Sequence, residues 1–318
     1  MSKNTTEKTD LHSAGSRRLL AADEYVVGIL GGDRILLSQA ITLVESTRPS
    51  HQKMAQEILE KCLPHSGQSM RIAITGSPGV GKSTFIETLG TYLTGKGGKL
   101  AVLAVDPSSQ VSGGSILGDK TRMNSLSANN RAYVRPSPAG DALGGVAART
   151  RETMLLCEAA GFDTIFVETV GVGQSETAVH KMVDFFLLLL QPAAGDELQG
   201  IKRGIVEMAD LIAINKADGS LLEQAKIAHQ EYSRALHLFP EKESGWVPKV
   251  VTCSALTGAG MEELWQIAGD YFYQIRNNGW FENNRHQQAN NWLHEHIERE
   301  LRHAFFNNKA VRERLPFF

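Results

Sequence analysis

Cysteine is scarce: Cys62, Cys157 and Cys253 are the only three in 318 residues. They form no C-x-x-C pair and no disulfide framework, which suits a reducing cytosol, and each reads as a small buried hydrophobe. An excess of one charge is also lacking. With 33 Lys and Arg against 35 Asp and Glu, the net charge of −2 gives no reason to expect a nucleic-acid partner. Long apolar runs are missing too. Phe185-Phe186-Leu187-Leu188-Leu189-Leu190 is the most apolar stretch, far short of the roughly 20 residues that cross a bilayer. It reads as a buried central strand, and no membrane association is expected. Histidines are scattered; His294-Glu295-His296 points to different helix faces and reads as solvated surface, not as a metal site. No internal repeat is visible. Residues 1–10 are polar and lack the apolar core of a signal peptide, so 1–20 are expected to form a disordered tail of a cytoplasmic protein.

What is present is ordinary in bulk and specific in detail. A 42% hydrophobic and 21% charged chain of this length suits one large α/β domain with helical additions. The pattern over 25–46 predicts two short helices broken at Gly31-Gly32-Asp33, with Asp33 capping the second. A third helix is expected at 51–62, so that 21–68 form an N-terminal helical extension. From Met70 onward strand and helix patterns alternate, which argues a mostly parallel sheet with helices on both faces. The expected strands are 70–75, 100–105, 131–135, 163–168, 184–190, 210–214 and 249–253. The clearest helices are 82–94, 144–160, 221–237 and 261–275, and 69–278 are read as one nucleotide domain. Beyond Gly279, Ala289, Leu293, Ile297, Leu301 and Phe305 recur every four residues. The stripe predicts an amphipathic helix of about five turns. It either packs back on the nucleotide domain or forms a dimer arm over 279–318.

The chain is organised around Gly76-Ser77-Pro78-Gly79-Val80-Gly81-Lys82-Ser83, followed by Thr84. This is G-x-x-x-x-G-K-[ST], and its setting gives it meaning: an apolar strand precedes it, and Phe85, Ile86, Leu89 and Leu93 follow at helical spacing. Glycines let successive N–H groups point inward at phosphate, and the helix N-terminus adds its positive end. Lys82 is expected to reach the outer phosphates and Ser83 to hold Mg²⁺.

Asn215-Lys216-Ala217-Asp218, directly after the strand at 210–214, is N-K-x-D and selects the base. The Asp218 carboxylate can accept from both the ring N–H and the exocyclic amine of guanine. Adenine offers no such pair of donors, so the site would leave a desolvated carboxylate unpaired with ATP. Asn215 is expected to tie this strand end to the phosphate loop, and the Lys216 stem to lie on the purine face. Ser254-Ala255-Leu256 follows the last strand as a second guanine-contacting loop, with the Ala255 N–H near the base oxygen. Acidic residues at other strand ends fit Mg²⁺ and water: Asp106 beside the phosphate loop, Asp119 on a glycine-rich loop, and Glu168 before Thr169-Val170-Gly171, where the Gly171 N–H can sense the γ-phosphate. No arginine stands out as a finger in cis.

These motifs resemble the MeaB/ArgK family of GTPases, within the class that includes signal-recognition-particle and nickel-insertion GTPases. The likeness runs from about Val27 to Leu315. It also draws on Gly32-Asp33-Arg34, on 105–123 with Asp106-Pro107-Ser108-Ser109 and Gly118-Asp119-Lys120-Thr121-Arg122, on 167–176, and on Gly195-Asp196-Glu197-Leu198-Gln199-Gly200-Ile201-Lys202. The last stretch is needed by no general GTPase and is the most discriminating. The resemblance implies a G-protein chaperone of an adenosylcobalamin-dependent acyl-CoA mutase, methylmalonyl-CoA mutase above all. Loading, protection and reactivation of that mutase would be gated by GTP/GDP, in a homodimer joined through C-terminal helices. It also implies Lys82, Ser83, Asp106, Asp119 and Glu168 as phosphate, Mg²⁺ and hydrolysis residues, 171–176 as one switch, and 191–203 with Lys202 as another. Competing readings are a metal-insertion GTPase, which needs a Cys/His cluster, a P-loop kinase, which has no use for N-K-x-D, and a binding module without turnover.

Overall fold

The computed structural model describes residues 20–105, 123–136, 143–169, 175–192 and 203–314. Asp106, Asp119, Gly171, Gln174 and Lys202 lie outside these, as do the first nineteen residues and most of 191–203.

Seven strands form one parallel sheet: β1 (Met70–Gly76), β2 (Leu100–Val105), β3 (Ala132–Arg135), β4 (Thr164–Thr169), β5 (Phe185–Leu190), β6 (Leu211–Ile214) and β7 (Lys249–Thr252). Their spatial order is β3-β2-β4-β1-β5-β6-β7. All are apolar on both faces, as a sheet covered on each side requires. Alternate residues serve alternate faces. Ile72, Ile74, Val102, Phe166, Phe185 and Leu187 meet α4 (Lys82–Gly95) and α10 (Met261–Asn277). Ala73, Ala101, Leu103, Ile165, Val167 and Phe186 meet α6 (Leu143–Ala159) and the N-terminal helices.

Those N-terminal helices are α1 (Ala22–Leu30), α2 (Arg34–Glu45) and α3 (Pro49–Cys62). The Asp33 carboxylate accepts from the Ile35 and Leu36 N–H groups at 2.8 and 3.1 Å, ending the chain reversal at the expected cap. Leu37, Ile41 and Ile58 are fully buried in the same core as the sheet face beneath α6. Short helices α5 (Asn124–Ala128), α7 (Ser175–His180) and α8 (Arg203–Met208) and the longer α9 (Leu222–Leu236) complete the crossovers.

Gly279, at φ +76°, turns the chain from α10 into α11 (Trp280–Asn307), which is followed by α12 (Lys309–Arg314). With 28 residues, α11 is near eight turns and about 42 Å long, not the five turns expected from its stripe. The extra length is at its start, where Phe281 is buried in the core and Arg285 makes ion pairs, contacts that a period-four apolar search does not register. The stripe itself does not pack back: Leu293, Ile297, Leu301 and Phe305 are exposed in the single chain. Among the described residues no helix is long and apolar enough to cross a membrane.

Candidate functional site

The strand order brings the glycine loop, β4 and the ends of β6 and β7 to one rim, at the carboxyl ends of the strands. Gly76 leaves β1 at φ +151°, and a Cβ there would stand 2.4 Å from the Leu189 carbonyl oxygen of β5. Gly81, at φ +96°, opens α4; its Cβ would lie 2.9 Å from Asn215 Nδ2. Only glycine fits either place. Between them Pro78 and Gly79 are exposed, while Val80 is buried and anchors the loop. Ser77 is half-buried and Thr84 exposed. Lys82 folds back over the loop, its Nζ donating to the Gly76 and Ser77 carbonyls at 2.8 and 3.2 Å. Burial lowers the Lys82 pKa, with Glu168 and Glu176 opposing the shift. An ammonium held this way sits in the mouth of a concave nest beside a helix N-terminus, which is an anion site by construction.

Glu168 reaches the rim because β4 is the strand beside β1. The register pairs Glu168 with Ile74 on one side and Ala104 on the other. The Ser83 Oγ lies 3.4 Å from Glu168 Oε1, so a hydroxyl and a carboxylate converge at the loop's inner end. Hard oxygen donors of this kind suit Mg²⁺, which takes one or two protein ligands plus phosphate oxygens. No group of three His, Cys, Asp or Glu able to hold a metal is gathered among the described residues. In the sheet β4 lies between β1 and β2, the strand that leads to Asp106, so Glu168 stands on the strand beside the phosphate loop, while Asp106 itself lies outside the described residues. Local patterns carry no record of which crossover skips a strand.

The residues expected to read the base meet at the ends of β6 and β7. Asn215 is 1% exposed; its Nδ2 donates to the Val80 carbonyl at 2.8 Å, and its Oδ1 accepts from the Ala255 N–H at 2.9 Å. One amide thus joins the phosphate loop to the second guanine loop. Lys216 is the single described non-glycine residue at positive φ, +61°. That conformation costs roughly 1–2 kcal/mol. It lets Nζ reach back to the Gly79 carbonyl at 2.8 Å and Gln191 Oε1 at 3.1 Å. The Ser254 hydroxyl donates to the Asp218 carboxylate and accepts from the Thr257 N–H, which orients the carboxylate. Ala255 is buried and Leu256 is 82% exposed at the loop's tip.

Four contacts escaped sequence reasoning. Thr88 of α4 donates to the Ala255 carbonyl at 2.6 Å, a second tie between helix and base loop. Thr169 donates to the Thr75 hydroxyl at 2.8 Å, fixing β4 against β1. Glu176 is 1% exposed and electrostatically coupled to Lys82. Glu87 accepts from the Ser125 and Leu126 N–H groups, capping α5. Only the N-K-x-D and G-K-[ST] spacings signalled such neighbours; these four are products of tertiary approach. Cys253 is buried, with its thiol pushed up to about 12 by burial, and Cys62 is pushed up to about 11 for the same reason.

Comparison with known proteins bears on this arrangement. Residues 37–310 match the family described as methylmalonyl Co-A mutase-associated GTPase MeaB. The GTPase ArgK of Escherichia coli is 50% identical over 277 residues, spanning 87% of this chain and 84% of that protein. The mitochondrial methylmalonic aciduria type A homolog of Mus musculus is 46% identical over 304 residues, spanning 92% of this chain and 73% of that one. A crystal structure of a LAO/AO transport system kinase superposes with a TM-score of 0.78 at 41% identity, covering 91% of this chain and 87% of that chain. A P-loop on a parallel α/β sheet, a buried asparagine joining it to the base-reading loop, and a family match over most of the length agree. The chain belongs to the MeaB family of GTPases: it binds guanine nucleotide and hydrolyses GTP.

Proposed function

We propose that the chain is a GTP-gated chaperone of an adenosylcobalamin-dependent acyl-CoA mutase of the methylmalonyl-CoA type. In this reading it governs cofactor loading, protection and reactivation in the cytoplasm. The observation that carries the nucleotide part is Asn215, one buried amide bonded to both loops. The mutase part rests on the family's description and on the relative named for methylmalonic aciduria.

The proposed roles follow from the geometry. Backbone N–H groups of 76–83 cradle the phosphates, and Thr84 stands at the edge of that cradle. Lys82 exchanges its two loop carbonyls for phosphate oxygens and offsets charge that develops during hydrolysis. Asp218, oriented by Ser254, accepts from guanine, while the Lys216 stem covers the purine and the Ala255 N–H faces the base oxygen. Ser83 and Glu168, with Asp106 and Asp119, are the residues proposed to hold Mg²⁺, whose chemistry when bound is to neutralise the phosphate oxygens. Gly171 is the proposed γ-phosphate sensor. No arginine of the sequence stands out as a finger in cis, and in this reading intrinsic hydrolysis is slow and speeds up when the mutase orders the missing groups.

The exposed stripe on α11, with Leu293, Ile297, Leu301 and Phe305 between 45% and 65% exposed, supports a homodimer through this arm. The test is phosphate release from GTP and from ATP, with and without an adenosylcobalamin-dependent mutase, alongside cobalamin transfer to the apo-mutase. Selective GTP turnover that the mutase raises is the expected result; equal use of ATP, or no response to the mutase, overturns the reading.

A further inference from the structure

Gln191 is the first polar residue after the six apolar residues of β5. Its place follows from the strand order, in which β5 lies between β1 and β6. Leu189 pairs with Gly76 of β1, and Leu190 with Ile214 of β6. The next residue therefore leaves the sheet between the phosphate loop and Asn215-Lys216-Ala217-Asp218. The Gln191 side chain is half-buried there, and its Oε1 accepts from Lys216 Nζ at 3.1 Å.

The backbone of Lys216 gives that contact its weight. With φ at +61° the residue takes a conformation that L side chains seldom adopt. Such a conformation persists only where its surroundings over-determine it. The chain is pinned on either side: the Asn215 N–H donates to the Leu190 carbonyl at 2.7 Å, and the Ala217 N–H to the Cys253 carbonyl at 2.9 Å. At the far end of the side chain, Nζ donates to the Gly79 carbonyl at 2.8 Å and to Gln191. Three of these four acceptors are main-chain carbonyls, present whatever residue stands there, and Gln191 is the one supplied by a side chain.

The two acceptors of Nζ differ in what they are attached to. Gly79 is an exposed point of a glycine-rich loop, so its carbonyl alone holds the ammonium no more firmly than that loop is held. Gln191 stands at the end of a central strand and ties the ammonium to the sheet. A lysine stem is flexible along its four carbons, and fixing both ends fixes the line it takes. A neutral amide oxygen does this without setting a negative charge beside a loop suited to phosphate. We infer that Gln191 is a positioning residue for guanine nucleotide, holding the Lys216 stem along the line on which it covers the purine. The inference rests on the proposed place of that stem over the base. Because the stem serves the face of the purine and Asp218 its edge, losing Gln191 weakens purines with and without the exocyclic amine alike.

The test is a double-mutant cycle on the full-length, nucleotide-free protein, read by titration calorimetry with GDP and with inosine diphosphate, which lacks the exocyclic amine. Gln191→Leu keeps most of the bulk and removes the acceptor. Lys216→Met keeps an unbranched stem and removes the ammonium. Gln191→Leu is expected to weaken GDP about 3- to 10-fold, chiefly through faster release, and inosine diphosphate by the same factor. In the Lys216→Met background the same change is expected to alter GDP affinity less than about twofold, because the bond it removes is already gone. A loss of equal size in both backgrounds overturns the inference. So does a preference for GDP over inosine diphosphate that shifts more than about twofold on Gln191→Leu, the mark of a base site distorted as a whole. Lys216→Ala, which removes the stem itself, probes the reading beneath. If it weakens GDP while Gln191→Leu does not, the inference alone fails. If it leaves GDP affinity unchanged, Lys216 does not cover the purine and the inference falls with that reading.

Discussion

Replacing Asn215 with alanine tests whether one side chain couples phosphate and base recognition. The change removes two hydrogen bonds, to the Val80 carbonyl at 2.8 Å and from the Ala255 N–H at 2.9 Å. Val80 and Ala255 are 0% and 5% exposed, so both main-chain groups lose their partner away from water. Each orphaned group costs about 1–3 kcal/mol, giving a loss of roughly 2–6 kcal/mol before any gain from water entry. For a chain of this size about 2 °C accompanies each kcal/mol, so melting falls by roughly 4–12 °C. The same displacement weakens GDP and a non-hydrolysable GTP analogue by the same factor, about 10- to 1,000-fold, because Asn215 fixes loops common to both ligands. Asn215→Asp sharpens the test: it keeps an acceptor for Ala255 but sets a carboxylate oxygen against the Val80 carbonyl. It is therefore worse than alanine at neutral pH and recovers near pH 4, where a protonated carboxyl donates again. Scanning fluorimetry and titration calorimetry read both quantities. If alanine left affinity within about twofold, or selectively harmed the triphosphate, the coupling through Asn215 would be refuted.

Asp218→Asn is expected to lower GTP affinity by at least about 100-fold and to transfer preference towards xanthosine triphosphate, whose carbonyl can accept from the new amide; competition binding reads the switch. Glu152 is raised from 4.5 to about 6 by burial, against the pull of Arg299 and Arg149. Because its folded-state pKa is the higher one, stability declines as pH climbs from about 4.5 to 6, and the loss, at most about 2 kcal/mol, persists at neutral pH. Glu152→Gln should thus stabilise the protein at pH 7 and leave it unchanged at pH 4.5, as denaturant melts at the two pH values would show. Arg285→Ala strands the fully buried Asp184 carboxylate and is expected to cost about 3–5 kcal/mol, with earlier proteolytic cleavage near 280–290. Leu301→Asp on the exposed stripe should shift a dimer to monomers in sedimentation while leaving the melting temperature of the nucleotide domain within about 2 °C.

The strands were legible because each is a short apolar run, punctuated by residues that cannot continue it. Expected bounds such as 70–75, 163–168 and 249–253 fall within about a residue of Met70–Gly76, Thr164–Thr169 and Lys249–Thr252. Burial on both faces leaves no polar alternation to confuse the reading, and glycines at Gly76, Gly97 and Gly161 sit at positive φ where elements end. The site residues that could be named were those whose chemistry depends on spacing along the chain, as in G-K-[ST] and N-K-x-D. What was hidden depends on approach in space. Nothing in the sequence of β2 says that β4 will take the place beside β1, the placement that brings Glu168 to the phosphate loop. The tie from Thr88 to Ala255, the bond from Thr169 to Thr75 and the approach of Glu176 to Lys82 exist only once α4, β4 and α7 converge on the rim. The start of α11 was missed because its anchors are charged: Arg285 serves Asp184, 101 residues earlier.

The two edges of the sheet use charge in different ways, and the difference explains where change can occur. At the carboxyl edge the groups proposed to hold nucleotide are backbone amides, one lysine and carboxylates. At the amino edge three acids are held by bases of the protein itself. Glu158 pairs with Arg71, Asp184 with Arg285, and Asp210 with Lys242. Burial alone would push the Glu158 carboxyl up, but Arg71, Arg285 and Ser69 hold it below the usual range. Asp184 and Asp210 also accept from the Arg71 and Phe186 N–H groups, at 3.0 and 2.8 Å, so each acid fixes where a strand begins. Buried pairs of this kind contribute little net stability, because desolvation offsets most of the attraction. What they supply here is position: a strand slipped by one residue would leave a carboxylate without its N–H and its base together. The root of α11 is fastened to this self-satisfied edge through Arg285, and the loops that meet nucleotide are fastened to the other. A change of ligand at the carboxyl rim therefore meets a frame already locked at its far side.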